Sequence, residues 1–134
     1  MASVLIADDH SFTREQLRAF LTSRSIEVCG EAVDGKDAIE KVKELRPTLV
    51  LLDIYMPHLN GMVVAYEIRR IAPATKIVFF SNYETPKLIS AVRLLGGDAF
   101  ISKSEGIAEL LVTVRRLLSD GPLDEPVGET TQLQ

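Results

Sequence analysis

Leu49-Val50-Leu51-Leu52-Asp53 is the most informative stretch of the chain for its architecture. Pro47 closes the preceding segment, and the four residues after Thr48 are apolar on both faces, which is typical of a central strand in a parallel sheet. The strand is followed at once by a carboxylate, and an unpaired charge at the edge of a core is costly unless it has a partner. Asp53 is therefore the first candidate for a functional residue.

Four more strands are predicted around this one, over residues 3–7, 26–32, 76–81 and 99–102. In the second of them, Ile26, Val28, Gly30 and Ala32 alternate with their neighbours and are expected to share a face. Each strand is followed by a segment with apolar residues at helical spacing, most clearly Ile107 to Leu118. Strict alternation of strand and helix predicts an α/β fold with helices on both faces of a parallel sheet.

The composition indicates one folded domain. The chain has 134 residues, of which 46% are hydrophobic and 25% charged, as in ordinary globular proteins. It contains no apolar run near the ~20 residues that span a bilayer, and no secretion signal opens it, so we expect a cytoplasmic protein without a membrane segment. Cys29, the single cysteine, is expected to be a small buried side chain. A net charge of −4 predicts that this chain alone binds no nucleic acid.

The last residues have a different composition. Residues 120–134 show no periodicity and contain two prolines and two glycines, which favours a linker or tail. We therefore place a folded domain over residues 1–119 and a flexible C-terminal segment over residues 120–134.

Polar residues stand where four of the predicted strands end. They are Asp8 and Asp9, Asp53, Ser81 and Lys103. In an open α/β sheet these strand ends meet at one crevice, where the carboxylates would repel one another unless a hard cation such as Mg²⁺ bound them. A carboxylate, a cation, a lysine and a hydroxyl suit phosphoryl transfer, with Asp53 as the nucleophile that becomes an aspartyl phosphate.

Each residue also has a simpler interpretation. Asp8 and Asp9 could favour the dipole of the following helix, Lys103 could be solvated, and Ser81 could cap a turn. His10 and His58 lack zinc-ligand spacing and are assigned no role. Tyr55 and Tyr83 are expected at the rim of the crevice. It is the combination of these residues that favours a phosphoryl-transfer site over the simpler interpretations.

Five separated positions match one known family in register. They are Ala7-Asp8-Asp9-His10 with Arg14 and Leu17, Leu51-Leu52-Asp53-Ile54-Tyr55-Met56-Pro57 with Gly61, Ser81, Phe100, and Lys103-Ser104. Together they resemble the receiver domains of bacterial two-component response regulators over residues 3–119, most closely the NarL/FixJ (LuxR-type) subgroup. The resemblance implies a flavodoxin-like (CheY-like), doubly wound five-stranded parallel sheet with strand order 2-1-3-4-5 and five helices.

The same resemblance implies a role for each site residue. Asp9, the Asp53 carboxylate and the backbone carbonyl of Tyr55 would bind Mg²⁺, with Mn²⁺ as a second candidate, and Asp8 would act partly through water. Lys103 would contact the phosphoryl group or Asp53. The Ser81 hydroxyl would hydrogen-bond a phosphoryl oxygen, and Phe100 would change rotamer as the switch.

The resemblance also implies partners. The donor would be a sensor histidine kinase or a phosphotransfer protein, and a homodimer could form through the fourth helix, fifth strand and fifth helix. The chain would be a signalling switch and not an enzyme, controlling transcription through a DNA-binding output domain that would need tens of residues beyond Gln134. The alternatives are a single-domain phosphorelay regulator and an aspartyl-nucleophile phosphohydrolase, although the latter usually has an acid where Tyr55 stands.

Two positions depart from the family pattern. Ser104 stands where many receivers have a proline after a cis bond, and a cis bond before serine costs ~3 kcal/mol. The geometry of the Lys103–Ser104 bond is therefore left open. Gly96-Gly97 replaces a commoner sequence before Phe100, and two adjacent glycines are expected to loosen that turn.

Overall fold

The computed structural model describes residues 2–82 and 86–119. Within these residues five strands alternate with five α-helices, and a short 3-10 helix follows the last strand. In chain order the elements are β1 (Ser3–Ala7), α1 (Ser11–Ser23), β2 (Glu27–Ala32), α2 (Gly35–Leu45), β3 (Leu49–Leu52), α3 (Gly61–Ile71), β4 (Lys76–Ser81), α4 (Pro86–Leu94), β5 (Ala99–Ser102), the 3-10 helix (Lys103–Glu105) and α5 (Ile107–Leu118). Tyr83 and residues 120–134, for which the sequence predicts a rim position and a linker, lie outside the described residues.

The five strands form one parallel sheet in the order β2-β1-β3-β4-β5. The predicted doubly wound, CheY-like fold is thereby confirmed. β3 lies at the centre, all four of its residues are buried, and its last residue, Leu52, pairs with Ala7 on β1 and Phe79 on β4. The strand that is apolar on both faces is thus covered on both faces, as its sequence predicts.

Each face of the sheet has its own hydrophobic core. On one face, α2, α3 and α4 cover alternate strand residues, including Leu5, Val50 and Phe79. On the other face, α1 and α5 cover the intervening residues, including Ile6, Leu51 and Val78. Because the sheet is held from both sides, the loops at the carboxyl ends of its strands have a rigid base.

The alternation predicted for β2 is wrong. The register with β1 shifts between Val28 and Gly30, and this irregularity passes over Cys29. As a result Val28 packs against the α1/α5 core, whereas Ala32 belongs to the core under α2 and α3. An extra residue in a strand reverses the faces of the residues that follow it, and alternation in the sequence does not reveal such a residue. Cys29 is only partly buried, with its Sγ 3.5 Å from the carbonyl oxygen of Val4, so the burial expected for it is incomplete.

Arg69 ties the turn after α4 to α3. Its Nη1 donates to the carbonyl oxygens of Pro73 (2.7 Å) and Thr75 (3.0 Å), while Nη2 donates to the carbonyl oxygen of Gly96 (2.6 Å) and to Asp98 Oδ2 (3.1 Å). Gly96 has a φ of 86°, which glycine tolerates well. The turn that two glycines were expected to loosen is therefore bonded to the neighbouring helix.

Removing this guanidinium should destabilise the protein. We expect Arg69→Gln to lower the free energy of unfolding by about 2 kcal/mol, because partly buried carbonyls and the Asp98 carboxylate lose a charged donor. Arg70→Gln is the matched control, since Arg70 is exposed and pairs only with Glu67 among the described residues. Its effect should stay within about 0.5 kcal/mol. Urea unfolding of both variants measures the difference, and equal effects would contradict a special role for Arg69.

The helices of the described part of the chain are short or carry many charges. None of them is both long enough and apolar enough to cross a membrane.

Candidate functional site

Two buried acids lie side by side at the carboxyl edge of the sheet. Ladder hydrogen bonds continue one residue past the strands, from the Asp53 amide to the carbonyl oxygen of Ala7 (3.0 Å) and from the Asp8 amide to that of Ala32 (3.1 Å). Asp8 is 2% exposed and Asp53 6% exposed. The end of the central strand and the end of its neighbour therefore bring two carboxylates together, as the sequence predicts.

Asp9 and His10 complete this group. One carboxylate oxygen from each of Asp8, Asp9 and Asp53, together with a ring nitrogen of His10, lie within 4.8 Å of one another. His10 Nδ1 is 3.2 Å from Oδ1 of both Asp8 and Asp9, although the imidazole itself is largely exposed. The structure places His10, to which the sequence assigns no role, beside these acids, and the absence of a role stays a prediction. Its position directly after two acids at a strand end was the available signal for this proximity.

His58 is elsewhere in the molecule. It follows β3 in the loop before α3, with a φ of 75°, and its Nδ1 is 3.5 Å from Asp34 Oδ2. The structure thus separates the two histidines that the sequence treats alike.

Lys103 supplies the positive charge of the group. Its Nζ is 2.9 Å from Asp8 Oδ2 and 3.7 Å from Asp53 Oδ2, and the side chain is mostly buried. Its ammonium is therefore shared between two carboxylates and lies closer to Asp8 than to Asp53. The sequence predicts the proximity to Asp53, but it gives no indication of the shorter contact with Asp8.

Burial dominates the electrostatics of Asp53. Loss of solvent, followed by the negative charge of Asp8, raises the pKa of Asp53 from 3.8 to about 6, and Lys103 opposes this shift only in part. The Tyr55 amide donates to Asp53 Oδ1 over a long 3.4 Å. Ionised Asp53 is thus incompletely compensated by the protein alone, and a further positive charge would stabilise it.

The donor set fits a hard divalent cation. Asp9 Oδ1 is buried and makes no hydrogen bond within the described residues, although His10 Nδ1 lies 3.2 Å from it, and the Asp9 carboxylate belongs to one group with those of Asp8 and Asp53. Carboxylate oxygens are the ligands that Mg²⁺ prefers, and it binds through few protein groups. Asp9 and Asp53, with Asp8 beside them, are the side chains that could hold it. Tyr55 follows Asp53 at the rim with a half-exposed ring, and the role of its carbonyl as a ligand stays a prediction.

The sequence pattern that defines the response regulator receiver domain matches residues 4–115. The chain belongs to the response regulator receiver family. Chemotaxis protein CheY of Thermotoga maritima is 40% identical over 100 residues, which cover 75% of this chain and 83% of that protein. Response regulator protein VraR of Staphylococcus epidermidis is 33% identical over 124 residues, covering 92% of this chain but only 59% of VraR.

A solved structure extends this likeness to the LuxR-type regulators. The DNA-binding response regulator of the LuxR family from Staphylococcus aureus superposes with a TM-score of 0.82 at 26% identity, covering 88% of this receiver and 99% of that chain. Together with VraR, it supports placement of this receiver in the NarL/FixJ-like subgroup. The matched residues span only 59% of VraR, so this receiver corresponds to part of that longer relative.

The predicted switch residues of this receiver share one face of the sheet. Ser81, the last residue of β4, is fully buried and pairs with Ser102, and Phe100 pairs with Phe79 two residues earlier. Because side chains alternate along a strand, Ser81 and Phe100 both point towards the α3/α4 side. Phe100 is partly buried and packs against that core. The arrangement permits coupling between them, and the rotamer change itself stays a prediction.

The backbone after Lys103 is ordered by a local cap. The Ser102 hydroxyl oxygen accepts a hydrogen bond from the Ser104 amide (3.3 Å), and Glu105 Oε1 accepts one from the Ser102 amide (3.1 Å). These two contacts form a capping box around the 3-10 helix. The described residues contain no cis peptide bond, so the Lys103–Ser104 bond is trans.

Asp8 and Asp9 directly precede α1 in this receiver, and their interaction with the helix dipole stays a prediction. The N-cap of α1 is His10, and neither its side chain nor an acid in the first turn caps the helix. Asp8 instead accepts hydrogen bonds from the His10 amide and from Lys103. Both oxygens of Asp8 are therefore engaged within the acidic group.

Proposed function

We propose that this receiver accepts a phosphoryl group on Asp53 in a Mg²⁺-dependent reaction and so acts as a phosphorylation-controlled signalling switch. The observation that carries the proposal is the environment of Asp53. Its nearly buried carboxylate lies beside those of Asp8 and Asp9 and 3.7 Å from the ammonium of Lys103. That combination can bring a negatively charged donor and a negatively charged nucleophile together.

In the proposed step, an ionised oxygen of Asp53 attacks phosphorus while the bond from phosphorus to the donor atom breaks. With a phosphohistidine as donor, the leaving atom is an imidazole nitrogen, which takes up a proton. Lys103 offers a fixed positive charge 3.7 Å from an Asp53 oxygen, where charge on the phosphoryl oxygens must be neutralised. Mg²⁺, which Asp9 and Asp53 would hold, would supply further positive charge for the transfer. Asp8 keeps Lys103 in place through their 2.9 Å ion pair.

The proposed donor is a sensor histidine kinase or a phosphotransfer protein, because receiver domains of this family interact with such proteins. The proposed location is the cytoplasm, where a kinase has access to ATP. The proposed output is control of transcription by a further domain, because a similar LuxR-family regulator is described as DNA-binding. A role as a single-domain phosphorelay regulator is the alternative.

The function is tested by weighing the intact protein after incubation with Mg²⁺ and a small acyl phosphate donor. We expect the mass to rise by one phosphoryl group when Mg²⁺ is present. When EDTA replaces Mg²⁺, the mass should not rise. Absence of the added mass at any donor concentration, in protein shown to be folded, would contradict the proposal.

We propose that Ser81 couples phosphorylation to Phe100. The Ser81 hydroxyl can donate a charge-assisted hydrogen bond to a phosphoryl oxygen on Asp53, and it shares a face of the sheet with Phe100. We expect Ser81→Ala to leave Asp53 phosphorylation largely intact but to remove most of the phosphorylation-induced amide shift changes around Phe100 and α4. Backbone NMR decides this, and the same shift changes in Ser81→Ala as in the parent would refute the coupling.

The surface formed by α4, β5 and α5 is the proposed contact between two copies of the receiver. Leu94 on α4 and Val112 on α5 are exposed large apolar residues on elements of this surface. Sedimentation of phosphorylated and unphosphorylated protein tests whether self-association changes.

A further inference from the structure

Arg14 connects the acidic group to strand β2. It lies in the first turns of α1, and its side chain is 14% exposed. Nη1 donates to the backbone carbonyl oxygen of Asp8 over 2.8 Å, and Nε donates to Glu31 Oε1 over 2.9 Å. One guanidinium therefore bridges the loop that carries both N-terminal acids and the strand beside it.

The bond to Asp8 fixes a particular peptide plane. The carbonyl of Asp8 belongs to the peptide unit that joins Asp8 to Asp9, so the position of its oxygen constrains the orientation of the Asp9 backbone. The Asp8 amide is held as well, by the carbonyl oxygen of Ala32. Because both polar groups of the Asp8 backbone are bonded, the backbone that leads into Asp9 is held in one orientation. The Asp9 carboxylate then lies in the acidic group with those of Asp8 and Asp53.

Glu31 holds Arg14 in turn. Its second oxygen accepts from Arg18 Nε over 2.6 Å, and its backbone carbonyl oxygen accepts from Lys41 Nζ over 2.6 Å. Burial works against ionised Glu31, but the hydrogen bonds and charges of Arg18 and Arg14 hold its pKa below the usual value. Glu31 is therefore ionised and held in place by residues of α1 and α2. Its carboxylate in turn fixes the guanidinium of Arg14.

We propose that Arg14 is a positioning residue for the metal site, acting through the Asp8–Asp9 peptide with Glu31 as its anchor. Partners that orient metal ligands without touching the ion commonly change metal affinity 10- to 100-fold when removed. Asp9 depends on such support more than a ligand on a strand, because it lies in the loop between β1 and α1. The inference rests on the proposed binding of Mg²⁺ to this group.

The test is a Mg²⁺ titration of the full chain, followed through the amide shifts of Asp9 and Asp53. We expect Arg14→Gln to weaken Mg²⁺ binding roughly 10-fold or more, and Asp9→Asn, which removes a ligand charge, shows the size of a direct loss. Arg18→Gln is the matched control, because Arg18 pairs with the same Glu31 carboxylate but is more exposed and serves no carbonyl of the acidic pair. It should change the affinity less than about twofold.

A second variant separates positioning from general damage to the fold. If Glu31 acts through Arg14, Glu31→Gln should weaken Mg²⁺ binding by itself but add little in the double variant with Arg14→Gln. In the metal-free protein, Arg14→Gln should shift the Asp9 amide, whereas Arg18→Gln should not.

The outcomes are distinguishable. Mg²⁺ affinity of Arg14→Gln within twofold of the parent, or the same loss in Arg18→Gln, would overturn the positioning role while leaving the metal site intact. Fully additive effects of Arg14→Gln and Glu31→Gln would also overturn it. A parent protein that binds no Mg²⁺ would overturn the proposed site and this inference with it.

Discussion

Asp53→Asn should abolish phosphoryl incorporation completely under conditions in which the parent gains one group. The amide cannot act as the anionic nucleophile, and none of the described residues offers a second carboxylate at the end of the central strand with Lys103 beside it. The substitution is nearly isosteric, so the core under the site should remain packed. Intact-mass measurement and peptide mapping after incubation with an acyl phosphate and Mg²⁺ report the result.

Asp37→Asn is the control for this experiment, because Asp37 lies in the first turn of α2 and outside the acidic group. It should be phosphorylated like the parent. An Asp53→Asn protein that still acquires a phosphoryl group would show that another residue is the acceptor.

Asp53→Asn should also stabilise the metal-free protein at neutral pH. Burial, followed by the charge of Asp8, raises the pKa of Asp53 from 3.8 to about 6, so the folded state holds this proton more tightly than the unfolded chain does. Folding stability therefore falls as the pH rises from about 4 through 6, where the unfolded chain loses the proton first. Above that range, Asp53→Asn should unfold with a free energy higher by about 3 kcal/mol, since each unit of pKa shift corresponds to ~1.4 kcal/mol.

Urea unfolding in EDTA at a series of pH values measures this difference. It should be largest above pH 7 and vanish below pH 4, as Asp53 becomes protonated in the unfolded chain as well as in the folded state. Added Mg²⁺ should reduce it by stabilising the parent, which alone keeps the full carboxylate set. A difference that grows as the pH falls would contradict the proposed environment of Asp53.

The sequence was sufficient for the fold because its signals are local. The apolar run of β3, the helical spacing of α5 and the alternation of units each depend on a few neighbouring residues, and together they restrict the topology strongly. The positions of the strand ends likewise predict that Asp8, Asp53 and Lys103 lie together. Local patterns do not specify the register between strands, so they did not predict the irregularity beside Cys29.

The missed parts of the site are contacts between distant segments. Arg14 was matched to a family pattern, but its bonds to Asp8 and Glu31 depend on where α1 lies against β2. The closer approach of Lys103 to Asp8 than to Asp53 depends on the 3-10 helix after β5, which the sequence did not reveal. Side-chain partners of this kind follow from packing, and their energies differ too little for sequence patterns to rank them.

The Arg69 guanidinium also determines how α4 can move. It holds the turn at Gly96 to the end of α3, whereas the other end of α4 begins five residues after Ser81. A displacement that starts at Ser81 should therefore be greatest near Pro86 and smallest near Leu94. The helix would swing about a pivot at Gly96 and would not slide as a whole, so a change at the proposed phosphorylation site would become an angular movement at the protein surface.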